Sequence, residues 1–108
     1  MSNVLAGIGR GQLRVLDDRV RSRRAVFDRY REAFLDLPGI VMQPEAPWGL
    51  HTRWLSVLTI DPEEAPVLPS DVVGDLEKEN IEARPVWRPM HMQPIFTDAE
   101  AIGGTIAQ

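Results

Sequence analysis

An apolar stripe through the first third of the chain is the feature that most constrains its fold. Its members recur at steps of three, four and seven residues, as on one face of an α-helix: Leu13, Leu16, Val20, Phe27, Tyr30, Phe34 and Leu37. Ser2 is a suitable N-cap, and Pro38-Gly39 ends the pattern. The sequence predicts one long helix over residues 2–37. A chain of 108 residues cannot cover so long a helix, so part of its apolar face is predicted to meet another chain or domain.

The rest of the chain favours a small sheet with one further helix. Three runs have the composition of strands: Ile40–Met42, Arg53–Ile60 and Ile81–Arg84. A helix is predicted from a cap at Ser70 or Asp71 to Asn80. This order predicts a single α+β domain over residues 1–108, in which a long helix (1–37) precedes a small α+β portion (38–108). That portion is an antiparallel or mixed sheet with helices packed on one face.

Composition and charge exclude several classes of function. Cysteine is absent, which rules out a disulfide framework and a thiolate nucleophile. The two histidines, His51 and His91, lack the spacing of metal ligands, and hydrogen bonding is the favoured role for His51. No run approaches the ~20 apolar residues of a membrane helix, and no secretory signal is evident, so a cytoplasmic protein without a membrane partner is expected. The net charge of −4 argues against nucleic acid, and binding through the arginines of residues 10–31 is the weakest alternative.

A proline-stiffened segment carries the residues best suited to binding a ligand. Arg84-Pro-Val-Trp-Arg-Pro-Met-His-Met-Gln-Pro94 places two guanidinium groups, an indole and an imidazole on a backbone that its prolines keep extended. Arg84 and Arg88 match a phosphate or carboxylate, Trp87 offers a flat face, and His91 can exchange a proton. Together they suit an anion that carries rings, such as a nucleotide sugar. The alternative is a surface loop whose indole fills the core and whose arginines lie in water.

Three stretches resemble one enzyme family, in the family's order. Ile81–Phe96 resembles the RPxWxPxHxQP segment of the DegT/DnrJ/EryC1/StrS aminotransferases, pyridoxal-phosphate enzymes that aminate keto sugars carried on nucleotides. Met1–Leu13 resembles the opening of the family's long helix, and Ala46–Ser56 the entry to the first strand of its small domain. The resemblance implies the small domain of a fold-type-I aminotransferase. It also implies that the two arginines, the indole and the imidazole of the proline-rich segment bind the substrate.

The resemblance further implies a carboxy-terminal part of such an enzyme. Family members hold the cofactor as a Schiff base on a lysine of a large amino-terminal domain, which no segment here resembles. The single lysine, Lys78, has Asp75 and Glu79 nearby, and these favour an ammonium ion over a nucleophilic amine. The chain is therefore expected to contain no catalytic residue, to bind no pyridoxal phosphate stably alone, and to end within a late family helix.

The implied partners belong to the full enzyme. They are a nucleotide-linked keto sugar and glutamate, in a polysaccharide-biosynthesis role, and a second copy or an amino-terminal domain that contacts residues 2–37. Whether the chain alone is an enzyme stays open. The alternative function is a non-catalytic dimerisation or docking domain, which would neither absorb visible light with added cofactor nor transaminate until its partner is supplied.

Overall fold

The computed structural model describes residues 2–103 and divides the chain into two compact units, Met1–Leu68 and Pro69–Gln108. The first contains two helices and two strands: α1 (Asn3–Arg14), α2 (Leu16–Ala33), β1 (Ile40–Met42) and β2 (Leu58–Ile60). The second contains helix α3 (Pro69–Lys78) and the 3₁₀ turns Met90–Met92 and Pro94–Phe96. Helices and an antiparallel sheet confirm the predicted α+β class. The single domain over residues 1–108 stays a prediction.

The predicted long helix is present as two consecutive helices. Ser2 caps α1 as predicted, since its hydroxyl accepts a first-turn backbone N–H at 3.3 Å. The helical pattern is interrupted only at Val15 (φ −112°, ψ 6°), whose N–H closes a tighter bond to the Gln12 carbonyl at 3.2 Å. Helix α2 then ends at Ala33, four residues before the predicted boundary at Leu37.

A buried glycine turns the chain from the helical region into β1. Gly39 has φ +73°, a left-handed conformation that glycine adopts without strain. Its N–H donates to Glu64 Oε2 at 3.0 Å, and its carbonyl accepts the Asp61 N–H at 2.7 Å. A Cβ at this position would lie 2.9 Å from the Cβ and the backbone nitrogen of Ala65. Glycine is therefore required here by both conformation and contact.

The sheet is shorter than predicted. Strands β1 and β2 pair antiparallel, in the register Ile40↔Ile60, Val41↔Thr59 and Met42↔Leu58. Of the strand predicted over residues 53–60, only the last three residues pair. Arg53 has a left-handed φ of 54°, and its N–H donates to His51 Nδ1 at 2.8 Å. The Trp54 carbonyl accepts Arg23 Nη1 at 2.7 Å. These bonds occupy backbone groups that a longer strand would use for pairing.

The core of the first unit is small and includes a charged side chain. Phe27 on α2 is 3% exposed, and it and Ala65 are the buried hydrophobic residues of the described chain. Arg53 is only 5% exposed, and its guanidinium carbon lies 3.7 Å from the centre of the Phe27 ring. Phe27, a member of the predicted apolar stripe, is thus buried in the core, whereas the first members of that stripe, Leu13 and Leu16, are exposed.

Helix α3 forms as predicted, although it begins at Pro69, before the predicted cap at Ser70 or Asp71, and the strand predicted after it does not form. Asn80 adopts φ 59° and donates to the Glu77 carbonyl at 3.0 Å, while the Ile81 N–H donates to the Leu76 carbonyl at 2.9 Å. This pair of bonds is a Schellman motif that ends the helix. Residues 81–84 do not form a strand because the described part of the second unit offers none to pair with. No helix forms over 97–103, and 104–108 lie outside the described residues.

Candidate functional site

The segment from Arg84 to Pro94 has an extended part followed by a turn. Residues 84–89 have no regular secondary structure, as their prolines predict, and a 3₁₀ turn follows at Met90–Met92. Gln93 fixes the junction: its side-chain amide donates to the Arg88 carbonyl at 3.2 Å, and its backbone N–H donates to the Met90 carbonyl at 3.1 Å. The segment is therefore shaped by hydrogen bonds within itself.

The two arginines of this segment differ in their partners. Arg84 is paired with Glu82, whose Oε1 lies 2.6 Å from Nη2 and 2.8 Å from Nε. Both side chains are exposed, and an exposed pair of this kind contributes under about 1 kcal/mol, so a phosphate can replace the carboxylate. The guanidinium of Arg88 has no ion-pair partner within residues 2–103. An anion could therefore bind Arg88 directly, whereas it would bind Arg84 by displacing the Glu82 carboxylate.

The indole of Trp87 lies outside the core. It is 77% exposed, so the surface-loop alternative, in which this indole fills the core, does not describe the structure. An exposed indole presents its flat face to a ring of a ligand. The contact of Trp87 with a ligand stays a prediction.

His91 lies in the wall of a cavity of about 270 Å³. Met90 and Phe96 supply apolar wall, and Glu100 is the other titratable residue of the lining. Neither the arginines nor the indole of the segment line this cavity. The structure thus places the imidazole at a concave site and leaves the other three predicted residues on the exposed stretch before it.

Sequence reasoning missed a charged cluster centred on Glu45 in the first unit. Its Oε1 and Oε2 accept two hydrogen bonds from Arg24, at 2.7 and 3.0 Å, and Oε1 also accepts the His51 N–H at 2.7 Å. Arg53 Nη2 lies 3.6 Å from Oε2, and its Nη1 donates to the Gln43 carbonyl at 2.8 Å. One signal was available: Glu45 is the single acidic residue in the range 38–60.

Glu45 is ionised at neutral pH. The hydrogen bonds from Arg24, and then the His51 N–H, lower the pKa of Glu45 from 4.5 to about 2, against the opposing effect of desolvation. The same hydrogen bonding raises the pKa of Arg24. His51 accepts the Arg53 N–H through Nδ1, which is a structural role of the kind predicted for it. The cluster has a structural effect: it joins α2 to the loop between β1 and β2.

The lysine of this chain does not fit a Schiff-base role. Lys78 lies in the last turn of α3, its side chain is 76% exposed, and Nζ donates to Asp75 Oδ1 at 2.7 Å. A lysine that forms a Schiff base needs a neutral amine, which a desolvated pocket or a neighbouring cation provides. Lys78 is exposed and paired with a carboxylate instead. Its surroundings therefore do not fit the attachment point that pyridoxal phosphate needs.

Two further kinds of site are absent from residues 2–103. Three or more histidine or carboxylate side chains do not gather there as metal ligands. None of the helices in that part of the chain has the length and apolar character needed to span a membrane.

Comparisons with known proteins point to one family. Residues 1–106 match the sequence profile of the DegT/DnrJ/EryC1/StrS aminotransferase family. The chain is 48% identical over 99 residues to the "Putative pyridoxal phosphate-dependent aminotransferase EpsN" of Bacillus subtilis (strain 168), covering 92% of this chain and 25% of the relative. It is 33% identical over 97 residues to the GDP-perosamine synthase of Caulobacter vibrioides, covering 89% of this chain and 26% of the relative.

A third relative has a name that refers to polysaccharides. The chain is 32% identical over 97 residues to the "Spore coat polysaccharide biosynthesis protein SpsC" of Bacillus subtilis, covering 89% of this chain and 25% of the relative. The chain therefore spans about a quarter of the length of these curated relatives. No solved structure matches it.

Proposed function

Since this chain belongs to the DegT/DnrJ/EryC1/StrS aminotransferase family, we propose that it forms the carboxy-terminal part of a pyridoxal-phosphate-dependent enzyme that aminates keto sugars carried on nucleotides. Family membership over residues 1–106, which include the segment Arg84–Pro94, is the observation that carries this function. A relative named GDP-perosamine synthase supports a sugar nucleotide as the substrate class. In this proposal glutamate donates the amino group in the whole enzyme, which acts in the cytoplasm.

Four side chains of the second unit bind the substrate in this proposal. Arg88, which lacks an ion-pair partner among the described residues, binds a phosphate. Arg84 binds the same phosphate after its ion pair with Glu82 breaks. Trp87 forms a wall against a ring, which its exposure supports. His91 contacts the sugar from the wall of its cavity.

The chain alone is inactive in this proposal. Pyridoxal phosphate supplies the amino-transfer chemistry when it is bound, and a cofactor-bearing domain outside these 108 residues holds it. The exposed, ion-paired state of Lys78 supports this division, because that residue cannot replace the missing attachment point.

The helical region of residues 2–37 completes the enzyme by binding a second copy or the cofactor-bearing domain. Val4, Leu5 and Ile8 of α1 are all exposed, and none of the residues of α1 is buried. Side chains of this kind favour burial by about 25 cal/mol per Å² of apolar surface. The same exposed face favours the second candidate function, a docking or dimerisation domain without catalysis.

A chimeric enzyme tests the proposal. This chain would replace the 99 matched residues of the Bacillus subtilis relative, which it resembles at 48% identity. We expect the chimera to convert glutamate to 2-oxoglutarate when pyridoxal phosphate is present and a nucleotide-linked keto hexose accepts the amino group, and the isolated chain not to. A folded chimera that binds no cofactor and transfers no amino group would favour the docking domain.

Substrate binding would then be measured with GDP-, UDP- and dTDP-linked keto hexoses. Arg88→Ala should weaken the tightest of these by roughly 10- to 100-fold, because a hydrogen bond to a charged group is worth about 1.5–3 kcal/mol. Lys78→Gln is the matched control: it also removes one exposed positive charge and should change neither binding nor turnover. An unchanged Kd in the Arg88→Ala variant would show that Arg88 does not bind the substrate.

A further inference from the structure

A short loop of the first unit is closed by hydrogen bonds at its base. The loop of residues 45–51, named here the Trp48 loop, starts at Glu45, whose Oε1 accepts the His51 N–H at 2.7 Å. Arg24 of α2 donates to that same Oε1 at 2.7 Å and to the His51 carbonyl at 2.6 Å. The two ends of the loop are thereby bonded to each other and to one helix.

The base of the loop also rests on the core. Arg53, two residues past the loop, is 3.6 Å from Glu45 Oε2 and stacks over Phe27 at 3.7 Å. The hydrogen bonds from Arg24 to Glu45 are charge-assisted and therefore stronger than neutral ones, so they hold the base of the loop on α2.

The tip of the loop is apolar and lies in solvent. The Gly49 N–H donates to the Ala46 carbonyl at 3.2 Å, which closes a tight turn. Trp48 is 88% exposed and Leu50 is 72% exposed, and residues 46–50 contain no charged side chain. An indole on an ordered base is the arrangement of an interface hot spot, because little ordering entropy remains to be lost on binding.

We propose that the Trp48 loop inserts into an apolar pocket on the part of the aminotransferase that lies outside the matched quarter. The inference rests on the proposed function and adds a second contact surface to the helical region. Each relative carries about three times as much further polypeptide as the matched region, in the same chain. That polypeptide is present at a high effective concentration beside the loop.

The chemistry of the tip selects this occupant over others. An uncharged indole and leucine suit the desolvated centre of a protein interface, from which charged residues are depleted. A nucleic acid or an anionic membrane surface would instead require lysine or arginine at the contact, and the tip has none. The partner surface is therefore apolar and belongs to a protein.

Accessibility of the Trp48 indole tests this directly. Acrylamide quenching of tryptophan fluorescence would be measured in the isolated chain and in the Bacillus subtilis chimera, each against its own Trp48→Phe variant, so that the difference reports Trp48 alone. We expect the quenching constant to be at least about fivefold lower in the chimera, since the centre of an interface excludes water. Equal quenching in the two proteins overturns the proposal.

Two other outcomes also count against it. Protection that grows with concentration in the isolated chain, with dimers in sedimentation, would assign the loop to a second copy. An insoluble chimera that becomes soluble when the relative's own residues replace the Trp48 loop would mean that this loop does not fit the relative's surface. The activity of the chimera separates this inference from the proposed function. If the chimera turns over substrate while Trp48 stays accessible to acrylamide, only the loop contact is refuted. If Trp48 is protected and no turnover is seen, only the proposed function is refuted.

Discussion

Replacing Gly39 with alanine should destabilise the first unit strongly. At φ +73° an alanine costs about 1–2 kcal/mol, because its Cβ crowds the following carbonyl. The new Cβ would also lie 2.9 Å from the Cβ and the nitrogen of Ala65 and 3.0 Å from the Cβ of Glu64. Favourable carbon contacts are about 3.5–4.0 Å, and relieving such overpacking typically costs a further ~1–3 kcal/mol. The expected total is about 2–5 kcal/mol.

A change of that size should be obvious in thermal unfolding. The first unit spans 68 residues, and stabilities of roughly 0.05–0.15 kcal/mol per residue give it about 3–10 kcal/mol in all. Circular dichroism at 222 nm would show a Tm lower by roughly 8–40 °C, at about 4–8 °C per kcal/mol.

The matched control is Gly9→Ala, where a Cβ would meet nothing within 4 Å. In the middle of α1, alanine should stabilise by up to about 1 kcal/mol. The same substitution is thus expected to act with opposite signs at two sites. A Gly39→Ala protein with the Tm of the unmodified chain would refute this explanation of the turn.

Two further predictions concern the core and the charged cluster. Phe27→Ala should cost about 3–5 kcal/mol through lost burial and leave Arg53 without its ring, so urea unfolding of the first unit should begin at far lower urea concentration; an unchanged midpoint would contradict the burial. Glu45 has a folded pKa of about 2 against 4.5 in its unperturbed state, so its contribution to stability is present above about pH 4.5 and is lost as pH falls toward 2. The free energy of unfolding should therefore decline more steeply across that window in the unmodified chain than in Glu45→Gln, and parallel curves would show that the cluster does not act through this proton.

Local patterns predicted the parts of the fold that depend on neighbours in sequence. The apolar stripe gave the helices, and Ser2 caps α1 as expected, because periodicity and capping act within a few residues. The prolines at positions 85 and 89 likewise predicted a non-helical stretch over residues 84–89, since each restricts its own φ and the residue before it, whereas the turn at Met90–Met92 was not predicted. The late start of β2 at Leu58 was not predictable, because the Arg23 side chain that binds the Trp54 carbonyl lies 31 positions away in the sequence.

In the candidate site, too, the features set by neighbouring residues were predicted and those set by distant contacts were not. The composition of the proline-rich segment indicated Arg84, Trp87, Arg88 and His91, but it did not show that His91 alone would line a cavity. The Glu45 cluster joins residues 21 positions apart, a separation that leaves no periodic trace in a sequence. Pairing across such distances is set by tertiary packing, which overrides local propensity.

The central claim is that this chain contributes substrate-binding and docking surfaces, and that its lysine does not hold the cofactor. The most direct test is to mix the purified chain with pyridoxal phosphate, reduce with borohydride and measure the intact mass, with Lys78→Gln as the control. We predict no stoichiometric pyridoxyl adduct and no visible absorbance band beyond the level of that control, because Lys78 is exposed and paired with Asp75. A stoichiometric adduct on Lys78, with its own visible band, would contradict the account.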